Sequence, residues 1–422
     1  AANTRADWPQ WRGPNANGSS STAGDLAVEW DQSQNVLWRT ELPSWSAATP
    51  AVWGDYIFVT SAEEGFATLV QGSRRGAGSL DKDKILLFAI DRKDGSIRWQ
   101  RQIDSGNQLY RKQNSASPSP ITDGSYVWIM TGNGKFSCFT MDGAEVWQRD
   151  IQSEYGQFGL NHGYASTPLL YGDRLYVQVL HGMKTDDPSY VFAVEKSTGN
   201  TVWKVVRETD AVSESPDAYT TPQILTVDGT DQLVVTGGDY ITGHDLDTGA
   251  EIWRTGGLNP GGNPFNRIVS SSIVIGNSVI ASSTRGNPFI AFEVEASEGN
   301  FVTSRLWSNN LGSDVPTPAS DGTYIYVVKD NGSVVCLKAM SGEAEYGPQR
   351  IELGTYSASP LLADGKLYCI SEEGTTTVLE AGPAFKVLAV NRLDSHTLAS
   401  PVADGSQLFI RTGNYLYCIQ KK

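Results

Sequence analysis

The chain has 422 residues, of which 39% are hydrophobic and 19% are charged, and this composition excludes an intrinsically disordered protein. The formal net charge is −14 and no Lys/Arg cluster is present, so nucleic acid is not an expected partner, because its phosphates would be repelled. No stretch of about 18 apolar residues occurs, and the sequence therefore predicts no membrane-spanning helix.

The amino-terminal region is predicted to be an extension, residues 1–34, that packs on a single main domain, residues 35–422. The chain begins with Ala1-Ala-Asn-Thr, which is typical of a mature protein after removal of a signal peptide, and we therefore expect a periplasmic or secreted protein. Residues 7–29 are rich in Gly, Ser and Asn after a pair of Trp residues.

A repeated unit organises the main domain. It consists of small residues ending in Pro, an apolar pair, a Gly turn and an aromatic-rich strand, as in residues 48–59 (ATPAVWGDYIFV). Seven copies carry the Pro and one has Ser in its place; these marker positions are Pro50, Pro120, Pro168, Pro222, Ser272, Pro318, Pro360 and Pro401. Most copies then close with Gly-x-x-x-Trp or a weaker version of it, as at Gly95–Trp99. One copy thus holds about four short strands with alternating apolar positions.

Four strands in each repeat of about 40–50 residues, eight times over, predict a single all-β, eight-bladed β-propeller of four-stranded antiparallel blades. The last copy ends after its third strand, residues 415–419, whereas residues 35–38 near the start form a strand with no partner. We predict that this amino-terminal strand completes the last blade and closes the ring. The extension before it either lies along the propeller surface or plugs its axial channel.

The long first interval between markers indicates an insert, at about residues 61–84. Two interpretations stay open: an elongated hairpin that packs on the rim, or a flap that contacts a partner.

Two residue classes in each repeat are expected to be structural. An indole at the end of an outer strand can lie against the Gly turn of the next blade while its N–H reaches a carbonyl. The small residues before each marker are expected on the innermost strands, where bulky side chains do not fit. The four Cys residues each lie in an apolar strand and are expected to be buried thiols rather than disulfides; they are Cys138, Cys336, Cys369 and Cys418.

The turn-and-Trp segments at residues 89–99 and 193–203 resemble the tryptophan-docking motif of quinoprotein propellers, which carry pyrroloquinoline-quinone-like repeats. The opening WPQWRGP, residues 8–14, is similar to the start of many secreted bacterial proteins with these repeats. The resemblance implies either a quinone-dependent dehydrogenase or a cofactor-free relative of the BamB type, an outer-membrane assembly factor. Dehydrogenases of the family carry adjacent cysteines, a Trp floor under the quinone and a calcium ion; no two cysteines are adjacent here, which favours the cofactor-free branch.

The loops that join one blade's outer strand to the next blade's inner strand converge on one face, and this axial mouth is the predicted ligand site. The side chain of His162, flanked by an amide and a phenol, is suited to orienting a ligand; Arg111 and Arg267 are suited to an anion or to internal salt bridges. The candidate mouth residues are Trp45, Arg111, Asn114, Tyr155, Phe158, Asn161, His162, Tyr164, Tyr219, Asn266, Arg267 and His396.

No hydrolase or protease motif occurs, and no metal site is predicted, because the four His residues are far apart in sequence. The leading hypothesis is a monomeric binding or scaffolding propeller, without a cofactor, whose mouth takes a protein, a small molecule or a carbohydrate. The alternative is an oxidoreductase that uses pyrroloquinoline quinone with calcium. A weaker alternative is a carbohydrate-binding or carbohydrate-processing protein, with Trp45, Tyr155, Phe158 and Tyr164 as stacking residues.

Overall fold

The computed structural model describes residues 7–64, 78–110, 112–284, 288–393 and 395–422. In these residues the chain forms eight twisted antiparallel sheets, which follow one another in sequence as the blades of a propeller. Two short strands precede the first blade, β1 (Ser19–Ser20) and β2 (Val36–Glu41). The central part of the predicted insert, residues 65–77, lies outside the described residues. The two central strands of the first blade, which flank this part, are longer than those of the second blade.

The first four blades contain strands β3 to β18. Blade 1 comprises β3 (Ala51–Trp53), β4 (Tyr56–Ala62), β5 (Gly78–Asp91) and β6 (Ile97–Leu109). Blade 2 comprises β7 (Ile121–Thr122), β8 (Tyr126–Met130), β9 (Lys135–Thr140) and β10 (Glu145–Asp150), and is followed by the short helix α1 (Ile151–Tyr155). Blade 3 comprises β11 (Leu169–Tyr171), β12 (Arg174–Val179), β13 (Tyr190–Glu195) and β14 (Thr201–Val206). Blade 4 comprises β15 (Gln223–Val227), β16 (Thr230–Gly237), β17 (Tyr240–Asp245) and β18 (Glu251–Thr255).

The other four blades contain strands β19 to β33. Blade 5 comprises β19 (Ile273–Ile275), β20 (Ser278–Ser282), β21 (Phe289–Ser297) and β22 (Asn300–Asn309). Blade 6 comprises β23 (Ala319–Ser320), β24 (Tyr324–Val328), β25 (Ser333–Lys338) and β26 (Ala344–Arg350). Blade 7 comprises β27 (Leu361–Ala363), β28 (Lys366–Ile370), β29 (Thr375–Glu380) and β30 (Val387–Arg392). Blade 8 comprises β31 (Val402–Asp404), β32 (Gln407–Arg411) and β33 (Tyr415–Gln420).

The ring closes as the sequence predicts. Strand β2 pairs antiparallel with β33, with Trp38 opposite Cys418 and Thr40 opposite Leu416, and so becomes the outer strand of blade 8. Blade 7 also gains a fifth strand, because β1 pairs parallel with β27. Pairing of both chain ends in sheets leaves blade 8 with its full set of four strands.

Five Trp residues connect neighbouring blades. Each indole lies against a Gly in the turn of the next blade, and its Nε1–H donates to a backbone carbonyl of that turn at 2.7–3.1 Å. These residues are Trp38, Trp99, Trp147, Trp203 and Trp307. The prediction is wrong for Trp253, whose Nε1 donates to Gln232 of its own blade at 2.6 Å and whose indole covers Gly243 of that blade.

A chain of hydroxyl groups surrounds the axis at the residues just before the marker positions. Seven consecutive backbone N–H groups each donate to the Ser or Thr hydroxyl of the next blade, at 2.9–3.3 Å. The chain runs through Thr49, Ser119, Thr167, Thr221, Ser271, Thr317, Ser359 and Ser400. These small residues are buried, and each hydroxyl that accepts satisfies a buried N–H group.

Residues 7–35, which we call the strap, cross the face of the propeller from one side to the other. They contact the turns that follow inner strands, since Asp7 accepts a hydrogen bond from the N–H of Gly54 and Gly405 accepts one from Gly24. The strap also accepts five hydrogen bonds from the backbone N–H groups two residues after a marker; the donors are Val52, Thr122, Leu170, Ser320 and Leu362, in blades 1, 2, 3, 6 and 7. Blades 1, 2, 3, 6, 7 and 8 are thereby held together on this face.

Arg12 of the strap enters the axis of the ring. Its side chain is only 2% exposed, and its guanidinium donates to the carbonyl oxygens of Pro318 and Pro360, both at 2.8 Å. Burial without a carboxylate lowers the pKa of Arg12 to about 9. The strap therefore both lies on the surface and plugs the channel, which combines the two placements that the sequence left open.

Candidate functional site

The loops between blades gather on the face opposite the strap, where they surround a cavity of about 350 Å³ that we call the axial mouth. Each of the eight loops contributes at least one lining residue. The cavity is lined by Ala47, Lys112, Gln113, His162, Tyr219, Arg267, Val269, Asp314, Val315, Asp330, Ser357 and Leu398. Its volume lies within the range of small-molecule sites, about 300–1,000 Å³.

One side of the mouth is organised by the buried carboxylate of Glu214. Its Oε1 accepts a hydrogen bond from Nδ2 of Asn161 at 3.0 Å, and it lies 3.4 Å from Nε2 of His162 and 3.8 Å from Nε of Arg267. Three predicted residues are thus brought together by a fourth that the sequence analysis did not name.

A second buried carboxylate, Asp217, holds the loops of this side in place. It accepts hydrogen bonds from the backbone N–H groups of Asn161, Gly182 and Met183 at 2.7–3.1 Å. Burial raises the pKa of Asp217 to about 6, with a further rise from Glu214, while the three N–H groups oppose this shift. Tyr219, two residues later, accepts a hydrogen bond from the backbone N–H of His162 at 3.0 Å.

The other side of the mouth carries Lys112 and three carboxylates. Nζ of Lys112 lies 2.7 Å from Oε1 of Glu372 and 3.2 Å from Oγ of Ser357, which itself donates to Glu372. Asp330 accepts a hydrogen bond from the N–H of Val315 at 3.2 Å. Burial raises the pKa of Asp330, and the neighbouring charge of Asp314 raises it further.

The described part of the mouth is therefore an acidic surface whose basic groups already lie beside carboxylates. Four carboxylates accompany two side chains of permanent positive charge; the six residues are Glu214, Asp314, Asp330, Glu372, Lys112 and Arg267. Such a surface has fixed donors and acceptors and favours cationic or neutral groups over anions.

Several predicted mouth residues lie beneath or beside the cavity rather than in its wall. Trp45 is buried against Leu109 and Leu398, and its carbonyl accepts a hydrogen bond from Nδ2 of Asn114 at 3.1 Å. Asn266 is also buried and donates to Asp239 at 3.1 Å. Their polar groups support loops, because a buried polar atom needs a partner.

The remaining predicted residues are more distant or only partly accessible. The ring of Tyr155 packs edge-on against Tyr190 and Phe192, at centroid distances of 5.9 and 5.4 Å. His396 lies in the loop before blade 8, and burial lowers its pKa. Phe158 and Tyr164 line a separate groove between blades 1 and 2. Arg111 lies outside the described residues.

In the part of the chain that the structure describes, no group of three or more His, Cys, Asp or Glu residues is arranged to hold a metal ion. All four cysteines are buried free thiols, and burial raises the pKa of Cys138, Cys336 and Cys418 to about 12. None of the described helices has the length and apolar character needed to span a bilayer.

A model of the family described as outer membrane protein assembly factor BamB matches residues 87–346, which is more than half of the chain. The chain belongs to this family. No curated protein sequence matches this BamB-family chain significantly.

Solved structures show the same fold at low sequence identity. BamB from Moraxella catarrhalis superposes with a TM-score of 0.60 and 16% identity, over 91% of this chain and 99% of that chain. A europium-containing methanol dehydrogenase gives a TM-score of 0.69 and 13% identity, over 97% and 90% of the two chains. The computationally designed Ika8 protein gives 0.58 and 11%, over 91% and 99%. One fold thus carries proteins of different kinds, and the fold alone does not decide between them.

The residues of the mouth in this BamB-family chain do not fit pyrroloquinoline quinone. That cofactor is a flat tricarboxylate, which needs cations and an aromatic floor. Among the described lining residues no Trp is present, the rings of His162 and Tyr219 are tilted by 49° with centroids 6.2 Å apart, and the cations Lys112 and Arg267 already lie beside the carboxylates of Glu372 and Glu214. An anionic quinone would meet like charges in this cavity.

Proposed function

We propose that this chain is a binding and scaffolding propeller of the cell envelope, and that its axial mouth receives part of a protein partner. The observation that carries the proposal is the mouth itself: eight loops fix a cavity whose basic groups are already paired with acids. Such pairing provides oriented hydrogen-bonding groups for recognition of a partner.

Membership of the BamB family supports the same interpretation. The family model is described as an outer membrane protein assembly factor, and a partner in the envelope is the corresponding expectation for this chain. The periplasm or the cell exterior is the compartment that agrees with it.

Site-specific photo-cross-linking in the organism that encodes the protein tests this proposal. A cross-linking amino acid at Val269, in the mouth, is expected to yield one dominant protein adduct. The matched control places the same amino acid at Asp247, which lies on the strap side and whose side chain is 81% exposed. Cross-linking from Asp247 is not expected to yield the adduct that is obtained from Val269. The adduct is identified by mass spectrometry and its affinity measured with the purified partner.

Loss of two mouth carboxylates tests the acidic character of the site. In the double variant Asp314→Asn, Asp330→Asn the adduct at Val269 is expected to weaken at least about tenfold, because the surface that favours cationic or neutral groups loses two negative charges. Identical adducts from both faces, or an unchanged adduct in the double variant, would refute a partner site at the mouth.

The oxidoreductase alternative is tested separately with the purified chain. Addition of pyrroloquinoline quinone and calcium is expected to leave the melting temperature and dye-coupled alcohol oxidation unchanged. A saturable rise in melting temperature with turnover would replace the scaffold proposal.

A further inference from the structure

A second concave site lies beside the mouth, between blades 1 and 2: Gly163 lines it, whereas the preceding residue, His162, lines the mouth. It is a groove of about 740 Å³, which we call the inter-blade groove. Its floor and walls come from the end of β6, the β8–β9 turn, and the segment from Asp150 to Tyr164 that leads into blade 3. Neither the family match nor the mouth accounts for it.

One wall of the groove consists of polar side chains that are held in place. Nδ2 of Asn133 donates to Asp104 at 3.0 Å and to the carbonyl of Gly106 at 2.5 Å. Gln152 donates to the carbonyl of Asn133 at 2.6 Å and accepts a hydrogen bond from the N–H of Phe158 at 2.7 Å. Because their side chains are already held by hydrogen bonds, these amides lose little conformational freedom when a ligand binds.

The carboxylate of Asp104 keeps one acceptor position available. Its Oδ2 accepts hydrogen bonds from Thr131 and Asn133, and its Oδ1 accepts one from the N–H of Ser105. A carboxylate has about four acceptor positions, so a fourth remains on Oδ1. Partial burial raises the pKa of Asp104, in keeping with a group that is shielded from water.

The opposite wall is aromatic. The rings of Phe158 and Tyr164 lie 4.8 Å apart, tilted by 33°, and Tyr110 packs over Gly163, where a Cβ atom would lie 2.0 Å from its ring. Oη of Tyr164 is buried and has no hydrogen-bond partner within the described protein. The wall thus offers apolar ring surface to the groove.

A peptide strand is not the expected ligand, because the edge of β6 is already covered. The N–H of Gln108 donates to Oγ of Ser115 at 2.9 Å, and the carbonyl of Gly106 accepts from Asn133. Addition of a strand requires free backbone groups along such an edge.

Anions are also disfavoured. Asp104 and Asp150 both line the groove, and its one described cation, Lys135, lies 2.8 Å from Asp150. The ligand therefore needs hydroxyl groups for the polar wall, an apolar face for the rings, and no negative charge.

From these walls we propose that the inter-blade groove binds a neutral oligosaccharide, with one sugar ring against Phe158 and its hydroxyl groups on Asp104 and Asn133. A pyranose has a C–H face that packs on aromatic rings and a rim of hydroxyl groups that meets planar amides and carboxylates. This site is independent of the proposed partner site at the mouth.

Titration calorimetry with the full chain tests the site, using neutral trisaccharides of glucose, mannose, galactose and xylose as probes, with trigalacturonate as the anionic comparison. Saturable binding of at least one neutral probe below about 10 mM is expected, and no binding of trigalacturonate. Failure of all neutral probes, or binding of the anionic probe alone, would overturn the proposal.

Variants locate the binding. Asp104→Asn is expected to weaken it at least about tenfold, and Phe158→Leu, which keeps most of the volume, about three- to tenfold. Phe265→Ala removes an exposed aromatic ring outside the groove and is the matched control, with unchanged affinity expected. Retention of binding in both groove variants, or its loss in Lys112→Ala at the mouth, would assign the sugar to another site and refute the groove. Because Asp104→Asn and Phe158→Leu change no lining residue of the mouth, their result does not depend on the partner proposal.

Discussion

The opening of the ring at one end of the propeller axis is filled by a side chain, whereas the opening at the other end is an open cavity. At the strap end, Arg12 fills the channel, and its guanidinium donates to two carbonyls from blades 6 and 7. At the mouth end, Arg267 is near a carboxylate at 3.8 Å and faces an open cavity. A closed ring leaves two openings, and sealing one of them with the protein's own chain leaves the other as a blind pocket.

Arg12→Ala is expected to have the largest effect on this comparison. It removes two hydrogen bonds from a charged donor, of about 1.5–3 kcal/mol each, and relief of the buried charge offsets part of the loss. We expect a decrease of about 3–4 kcal/mol in the free energy of unfolding, measured by urea denaturation.

Arg267→Ala is the comparison for Arg12 and is expected to lower the free energy of unfolding by less, about 1–2 kcal/mol, because its contact with the buried Glu214 is long, at 3.8 Å, and Asn161 still donates to that carboxylate. Arg12→Met fills the channel but donates no hydrogen bond. Its loss in free energy of unfolding is expected to lie between those of Arg267→Ala and Arg12→Ala. Equal losses at both ends of the axis would contradict the distinction between a sealed and an open end.

The second prediction concerns pH at the open end. The pKa of Asp217 in the folded protein is about 6, above its ordinary value of 3.8, so the folded state holds a proton that the unfolded state releases. The resulting stabilisation is complete below about pH 4 and is lost as the pH rises through 6. From pH 4 to pH 6 this amounts to about 2 kcal/mol.

The check for Asp217 is the difference in free energy of unfolding between the wild type and Asp217→Asn, measured across this range. The difference is expected to change by about 2 kcal/mol, with the wild type losing stability relative to the variant as the pH rises. The variant Asp330→Asn is measured in the same way, because the pKa of Asp330 is also raised by burial. Comparison of the two variants separates the pH dependence due to Asp217 from that due to Asp330. A difference that does not vary with pH would show that Asp217 is ionised throughout.

More of the fold than of the sites can be predicted from the sequence. The repeat is visible in short stretches of sequence, whereas the sites bring together residues that are far apart in the chain. Strand β2 was recognisable as the missing strand of blade 8 from the incomplete last repeat. The partners of Arg12 lie 306 and 348 residues away in the chain, and only the closed ring brings them together. Glu214 likewise meets His162 and Arg267 across three loops, and no local pattern marks it.

Trp253 shows the limit of a local motif within the repeat itself. Its Gly-x-x-x-Trp pattern matches the other copies, yet Gly243 in the adjacent strand leaves room for the indole within its own blade. In the next blade, the corresponding turn glycine, Gly299, has only open space within 4 Å of the position that a Cβ atom would take, so no Trp covers it. A motif therefore specifies the residue, while the neighbouring blade decides where its side chain packs.

The smallest expected effect concerns the chain of hydroxyl groups between the two ends of the axis. Oγ1 of Thr167 accepts a hydrogen bond from the N–H of Ser119 at 3.1 Å, whereas Oγ1 of Thr49, at the junction of blades 8 and 1, is buried with no partner among the described residues. Thr167→Val leaves a buried N–H unpaired and is expected to lower the free energy of unfolding by about 1–2 kcal/mol. Thr49→Val is the matched control and is expected to be neutral within about 0.5 kcal/mol or slightly stabilising, because it removes a buried hydroxyl that makes no hydrogen bond. Equal losses in the two variants would mean that the hydroxyl groups contribute through packing alone, and the ring of hydrogen bonds would then no longer explain why Ser and Thr precede the markers.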